Sequence, residues 1–176
     1  TKTHLLMCIR TGVIARLEWD WYDAEEDQWV IPAEVSGLKN TREQIEGGTC
    51  ENHIIPSTPE INQLMNKTRK LTGWQKYCFP SQGGKNNLHI GEETINDHFK
   101  NLGWKDKQSA HQWRSVVTTA GQEHGGFEYE VIDRQLGRKG HLNGTRGHYD
   151  RSTLLEKRIE LMNWWSKNLI EQGLKI

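Results

Sequence analysis

Two stretches of this 176-residue chain carry most of its structural information, Ser109-Ala-His-Gln-Trp-Arg114 and Gly144-Thr-Arg-Gly-His-Tyr-Asp-Arg151. His111 and Arg114 are three residues apart, so they share one face if the first stretch is helical. Tyr149 lies in a short basic segment directly before a long amphipathic pattern. A phenol, an imidazole and a guanidinium together suit an attack on a phosphodiester, with the phenol as nucleophile and the guanidinium as phosphate ligand.

Length and composition predict one globular domain. Hydrophobic residues make up 34% of the chain and charged residues 26%, which argues against disorder. No apolar run approaches the roughly 20 residues that a membrane span requires, and no signal peptide is visible. The three cysteines have no metal-ligand spacing, and their odd number favours a reducing cytoplasm. The chain starts inside an apolar pattern without an initiator methionine, so we expect a fragment of a larger protein.

The net charge is zero, with 23 basic and 23 acidic side chains. A neutral total counts against non-specific DNA binding, which usually requires a basic excess. The charges are unevenly distributed, however, because residues 134–151 include five basic side chains and one acidic one. We therefore expect a basic face on a neutral chain.

The remaining patterns predict a mostly helical domain with one small antiparallel sheet, an α+β fold. Two apolar helical pieces, 3–10 and 14–19, flank Thr11-Gly12. Residues 28–32 and 53–56 have strand length and apolar content, and Gly47-Gly48 between them is typical of a hairpin tip.

Five further helices are predicted, and the first has the clearest start signal. Thr58-Pro59-Glu60 supplies an N-cap, a proline in the first turn and an acid, and Gly73 ends that helix. The others are expected at 92–102, 109–123, 127–137 and 152–172. The last has one apolar stripe. Its members are Leu155, Ile159, Met162, Trp165 and Leu169.

Each candidate residue also has an ordinary structural interpretation. An arbitrary tyrosine more often packs its ring and keeps its hydroxyl in water than acts as a nucleophile. A histidine and an arginine three residues apart are common on helix surfaces. The apolar side of the 109–123 pattern strengthens the functional interpretation, because a helix with a buried side can hold polar groups rigidly.

Three segments resemble the catalytic domain of tyrosine recombinases, in particular the integrases of temperate phages and genomic islands. They are Ala110-His-Gln-Trp-Arg114, Tyr149-Asp-Arg151, and Leu155-Glu-Lys-Arg158 followed by Met162-Asn-Trp-Trp165. Weaker landmarks match in the same order, namely Thr11-Gly-Val13 joined to Ala15-Arg-Leu-Glu-Trp19, Trp29-Val-Ile-Pro32, and Tyr77-Cys-Phe-Pro-Ser81. The resemblance covers essentially the whole chain.

The resemblance implies a role for each matching residue. Tyr149 would attack the scissile phosphate, giving a 3′-phosphotyrosyl bond and a free 5′-hydroxyl. Arg114 would hold a non-bridging oxygen, and His111 would act as phosphate ligand or proton relay. Lys39 is the best match for the family's general acid, with Arg42 as a competitor. This chemistry requires no metal and no other cofactor.

The chain departs from the family pattern after Thr11-Gly-Val13. Integrases of this kind typically continue with Arg-x-Gly-Glu, whose arginine is the first of two catalytic arginines. Here Val13 is followed directly by Ile14, and neither Arg10 nor Arg16 fills that role by its position in the sequence. A true deletion predicts an impaired enzyme; the alternative is that the parent gene encodes the turn.

A second departure falls in Gln135-Leu-Gly-Arg-Lys-Gly-His141, where the family has a further phosphate-binding histidine directly after the Leu-Gly pair. His141 is the candidate for that role, and Arg138 or Lys139 could substitute for it. The cations expected to bind DNA are Arg138, Lys139, Arg146 and Arg151.

The resemblance as a whole implies a site-specific DNA recombinase that cleaves and religates double-stranded attachment sites. Residues 1–176 would be its single catalytic domain, without the amino-terminal arm-binding and core-binding domains. It would act as a homo-oligomer on DNA, a tetramer in the synapse, in the cytoplasm of a bacterial host and without a membrane partner. Three alternatives remain open: a type IB topoisomerase, a catalytically impaired DNA-binding remnant of a prophage, and a helical interaction domain with accidental motifs.

Overall fold

A computed structural model describes residues 1–35, 38, 40, 42–48, 50–83, 88–138 and 154–176. Within these residues the protein is mostly helical and has a three-stranded antiparallel sheet in the order β1-β2-β3, which confirms the predicted α+β fold. The strands are β1 (Tyr22–Asp23), β2 (Gln28–Ile31) and β3 (His53–Pro56). The helices are α1 (Lys2–Met7), α2 (Thr11–Ala15), α3 (Arg42–Glu46), α4 (Pro59–Thr72), α5 (Thr94–Phe99), α6 (Ala110–Glu123), α7 (Tyr129–Gln135) and α8 (Leu155–Glu171).

The two longest capped helices follow their sequence signals. At the start of α4, the Thr58 hydroxyl accepts a hydrogen bond from the Ile61 amide, and α4 ends before Gly73, as predicted. At the start of α6, Ser109 and Gln112 form a reciprocal capping box. Because these caps satisfy amides that a helix start leaves free, they fix where each helix begins.

The glycine pair between β2 and β3 does not form the predicted hairpin tip. The connection contains α3, and the Gly47 amide donates to the Glu43 carbonyl at 2.9 Å. Gly48 follows with a φ of 62°, the left-handed conformation that commonly ends a helix. The glycines therefore terminate a helical turn.

The break between the first two helices lies earlier than predicted. Cys8, at a φ of 60°, ends α1, whereas Thr11 and Gly12 begin α2 instead of separating two helices. Val13 and Ile14 are consecutive buried residues of α2. The predicted second piece, 14–19, is helical only at its two ends, because Ile14 and Ala15 belong to α2 and Trp19 begins a 3₁₀ helix, Trp19–Trp21.

The buried face of α8 matches the predicted stripe at Met162, Trp165 and Leu169 but not at Leu155, which is half-buried, or at Ile159. Ile159 is 41% exposed, whereas Leu161 and Arg158 are buried. Arg158 Nε donates to Gln135 Oε1 at 3.1 Å, and its Nη2 donates to the Ile54 carbonyl. A guanidinium with acceptors on neighbouring elements can therefore occupy a buried position outside the predicted apolar stripe.

In the core, α1 packs against α4 and α8. The Leu5 carbonyl of α1 accepts hydrogen bonds from two indoles, Trp165 Nε1 at 2.9 Å and Trp113 Nε1 at 3.3 Å. These bonds join α1, α6 and α8 at one carbonyl oxygen. Among the described residues, no helix is long and apolar enough to cross a membrane.

Candidate active site

Arg114 is the most deeply buried cation of the candidate site. It lies on α6, is 2% exposed, and donates from Nη2 to the Leu136 carbonyl. Its Nε and Nη1 are also buried, and neither has a hydrogen-bond acceptor within the described ranges. Burial, followed by the nearby charges of Arg10 and Arg138, lowers the pKa of Arg114 to about 10. Arg114 therefore remains charged at neutral pH and can donate two further hydrogen bonds.

A cleft of about 220 Å³ opens beside Arg114. His111, an exposed residue of the same helix, also lines this cleft, so the structure brings together the histidine and arginine that the sequence paired. The cleft is also lined by His4, Arg10, Gly12 and Glu92.

The carbonyls at the end of α7 and just after it hold both arginines of the cleft. Three consecutive carbonyls accept hydrogen bonds from three different parts of the chain: Gln135 from His53 Nε2 at 3.1 Å, Leu136 from Arg114 Nη2, and Gly137 from Arg10 Nη1 at 2.9 Å. The carboxyl end of a helix has unpaired carbonyls and a partial negative charge, so it attracts such donors.

Two histidines support the cleft in their neutral form. His4 Nε2 donates to the Ala110 carbonyl at 2.9 Å, and His53 Nε2 donates to the Gln135 carbonyl. Burial, with a smaller contribution from nearby cations, lowers the pKa of His4 to about 4 and that of His53 to about 3. Both rings therefore act as fixed neutral donors at physiological pH.

Arg138 is bound to α6 and α7. Its Nη1 donates to Asp133 Oδ1 at 3.1 Å and to Thr118 Oγ1 at 3.0 Å, and its Nη2 donates to the Arg114 carbonyl at 3.4 Å. These bonds fix the turn after α7 against the helix that carries Arg114. Whether Arg138 also contacts DNA stays a prediction.

Six predicted site residues lie outside the described residues, so their roles also stay predictions. They are Lys39, Lys139, His141, Arg146, Tyr149 and Arg151. Arg42, the competitor of Lys39, is an exposed residue of α3 whose Nε is 2.6 Å from Glu46 Oε1.

The sequence interpretation missed three residues of the cleft and its support, His4, Arg10 and His53. By its position in the sequence, Arg10 does not match the first catalytic arginine of the family. In the structure it is the residue directly before α2, and its Nη1 donates to the Gly137 carbonyl just after α7. His4 and His53 carry no local signal, because their partners are 106 and 82 residues away in sequence.

No protein-family model matches the chain. The integrase of Enterobacteria phage P4 is 26% identical over 171 residues, which are 96% of this chain and 39% of that protein. Prophage integrase IntA of Escherichia coli (strain K12) is 30% identical over 164 residues, 92% of this chain and 36% of that protein. The crystal structure of XerA recombinase matches 99% of this chain and 57% of its own chain, with a TM-score of 0.54 and 14% identity.

A helical domain with a small antiparallel sheet has the fold of a tyrosine-recombinase catalytic domain. The chain is similar over 92% to 96% of its length to the phage P4 and IntA integrases, and this similarity together with the fold supports the tyrosine recombinase family. The chain spans 36% to 41% of the length of the curated relatives that it matches.

Proposed function

We propose that the protein is a site-specific DNA integrase that cleaves and rejoins DNA through a 3′-phosphotyrosyl bond. The observation that carries the proposal is Arg114, a buried guanidinium with two N–H groups that have no acceptor among the described residues, in a cleft that His111 also lines. Donors held in advance at the place where negative charge develops are the most effective stabilisers of such a transition state.

The proposed reaction exchanges one phosphodiester for another. The Tyr149 oxygen bonds to the scissile phosphorus, and the bond from phosphorus to the 5′-oxygen breaks. Lys39 donates a proton to that leaving oxygen, and the Tyr149 hydroxyl proton is lost through His111 or water. Attack of a 5′-hydroxyl from the partner strand reverses these steps, so no external energy source is needed.

We further propose that the chain is the catalytic domain of a longer integrase. Its span of 36% to 41% of the relatives' length supports this, since the remainder would supply the arm-site and core-site contacts. The substrate would be double-stranded attachment-site DNA in the bacterial cytoplasm, bound by a homotetramer in the synapse, with Arg138, Lys139, Arg146 and Arg151 on the DNA side.

A nicked suicide duplex of the cognate attachment site tests the reaction, because loss of the short strand beyond the nick traps the covalent complex. We expect a complex that survives denaturation and is destroyed by protease. Tyr149→Phe should abolish it, whereas Tyr129→Phe, at an exposed position of α7, should not. Arg114→Ala should slow its formation by roughly 10²- to 10³-fold, the typical cost of one oxyanion donor. A complex that persists in Tyr149→Phe would refute the proposal.

One observation favours a second candidate, a DNA-binding remnant with impaired catalysis. Val13 and Ile14 are consecutive in α2, so the family's Arg-x-Gly-Glu turn is absent at this point. This candidate predicts specific binding to the attachment site without a trapped complex. Sequencing the parent gene across Val13–Ile14 is a second test, because an encoded Arg-x-Gly-Glu would remove the main support for this candidate.

A further inference from the structure

A second arginine, Arg10, lines the same cleft as Arg114. The two come from different elements, Arg10 from the link between α1 and α2 and Arg114 from α6. Their guanidiniums donate to adjacent carbonyls of the α7 end, those of Gly137 and Leu136. Since adjacent carbonyls of one chain are only a few ångströms apart, the two heads are neighbours.

Arg10 also retains unused hydrogen-bonding capacity. Its Nε is buried and has no acceptor within the described ranges, like Nε and Nη1 of Arg114. Both residues line the cleft, so these N–H groups belong to side chains that border the same space. A group that accepts hydrogen bonds from both arginines would satisfy donors that the protein itself leaves unpaired.

The charges around the cleft favour an anion as that group. Burial lowers the pKa of Arg10, and the neighbouring Arg138 lowers it further, the behaviour of cations that lack a compensating charge. The nearby acids form salt bridges with other arginines. Asp133 pairs with Arg138, and Glu92 Oε1 lies 2.6 Å from Arg16 Nη1. Glu92 does line the cleft, and its pair with Arg16 reduces its repulsion of an incoming anion.

We infer that Arg10 is the second phosphate-binding guanidinium of this site and replaces the arginine of the absent Arg-x-Gly-Glu turn. This inference rests on the proposed function, because the anion would be the scissile phosphate. Arg114 and Arg10 would each donate to a non-bridging oxygen, and together they would neutralise the charge that grows in the pentacoordinate transition state.

Sulfate binding to the 176-residue chain tests the inference without DNA. The melting temperature is measured against sulfate concentration, with sodium chloride holding the ionic strength constant. We expect sulfate to raise the melting temperature of the wild type. Arg10→Gln and Arg114→Gln should each weaken sulfate binding by about tenfold or more, since a charge-assisted hydrogen bond contributes about 1.5–3 kcal/mol.

Arg158→Gln is the matched control, because it removes a buried positive charge that donates to a carbonyl but does not line the cleft. It should lower stability and keep the sulfate response. The inference is overturned if sulfate binding is lost in Arg114→Gln but kept in Arg10→Gln, or if sulfate does not stabilise the wild type.

Arginine Nε–H resonances of the wild-type chain provide a measurement that does not depend on how the variants fold. Sulfate should shift the Nε–H signals of both Arg10 and Arg114 at a common affinity, and a shift confined to Arg114 would overturn the inference. The suicide-duplex assay separates the two proposals: normal sulfate binding without a trapped complex refutes the integrase reaction and leaves the anion site intact. A trapped complex at the same rate in wild type and Arg10→Gln refutes the role of Arg10 alone.

Discussion

Acid should destabilise this fold through His4 and His53, well above the pH at which carboxylates titrate. The folded protein holds both rings neutral, with pKa values of about 4 and about 3, against an ordinary value of 6.5. As the pH falls below 6.5, the unfolded chain therefore binds protons that the folded chain does not. Unfolding becomes more favourable as those protons bind, and the stability that is complete above 6.5 is lost toward pH 4 and 3.

The magnitude follows from the width of that window. Between pH 7 and about pH 5, each histidine costs about 2 kcal/mol, because the unfolded ring becomes almost fully protonated over this range and one pH unit corresponds to 1.36 kcal/mol. The two together remove about 4 kcal/mol, a large share of the roughly 5–15 kcal/mol that stabilises a typical domain. Urea unfolding at a series of pH values measures this loss directly.

His4→Gln and His53→Gln identify the source of the effect, because glutamine can still donate to the Ala110 or Gln135 carbonyl but does not titrate. Each variant should lose about half of the pH dependence. His98→Gln, at an exposed position of α5, is the control and should keep all of it. An unfolding free energy that is constant from pH 7 to about pH 5, or a slope that neither buried-site variant changes, would refute this reasoning.

Two further changes test the supports of the cleft. Ser109→Ala should lower the unfolding free energy by about 1 kcal/mol, because α6 loses its cap. Ser109→Asp should keep most of that stability, because a carboxylate also accepts from the Gln112 amide. Chemical denaturation compares the two variants. Arg158→Gln should cost about 1–3 kcal/mol, since its two acceptors lose a charged donor, and a normal urea midpoint in this variant would contradict that role.

Local chemistry made the helices predictable. The Thr58 and Ser109 caps and the Gly73 stop lie at residues whose types favour those positions, so α4 and α6 could be placed from the sequence. The strands β2 and β3 were predicted from their length and apolar content, whereas the two-residue β1 was not. His111 and Arg114 could be paired because both lie on one helix, where spacing alone brings side chains to one face.

The errors arose where distant contacts override local pattern. Arg158, for example, is buried where Gln135 Oε1 and the Ile54 carbonyl accept hydrogen bonds from it. Gly47-Gly48 is the exception, because a local helical turn, α3, ends at these glycines. Arg10 reaches its acceptor across 127 residues of sequence. Such contacts depend on the packing of whole elements and leave no periodic signal.

The hydrogen bonds of Arg114 and Arg10 to the end of α7 contribute to the stability of the fold as well as to the cleft, so variants of these arginines change both. Arg114 and Arg10 each use one N–H to hold the end of α7 and keep others without a protein acceptor. Removing either guanidinium therefore frees a carbonyl of α7 and removes an anion ligand at the same time. A slow variant alone cannot separate these effects, whereas sulfate binding measured beside urea unfolding can. Because His53 holds the third carbonyl without lining the cleft, His53→Gln should change stability with little change in sulfate affinity.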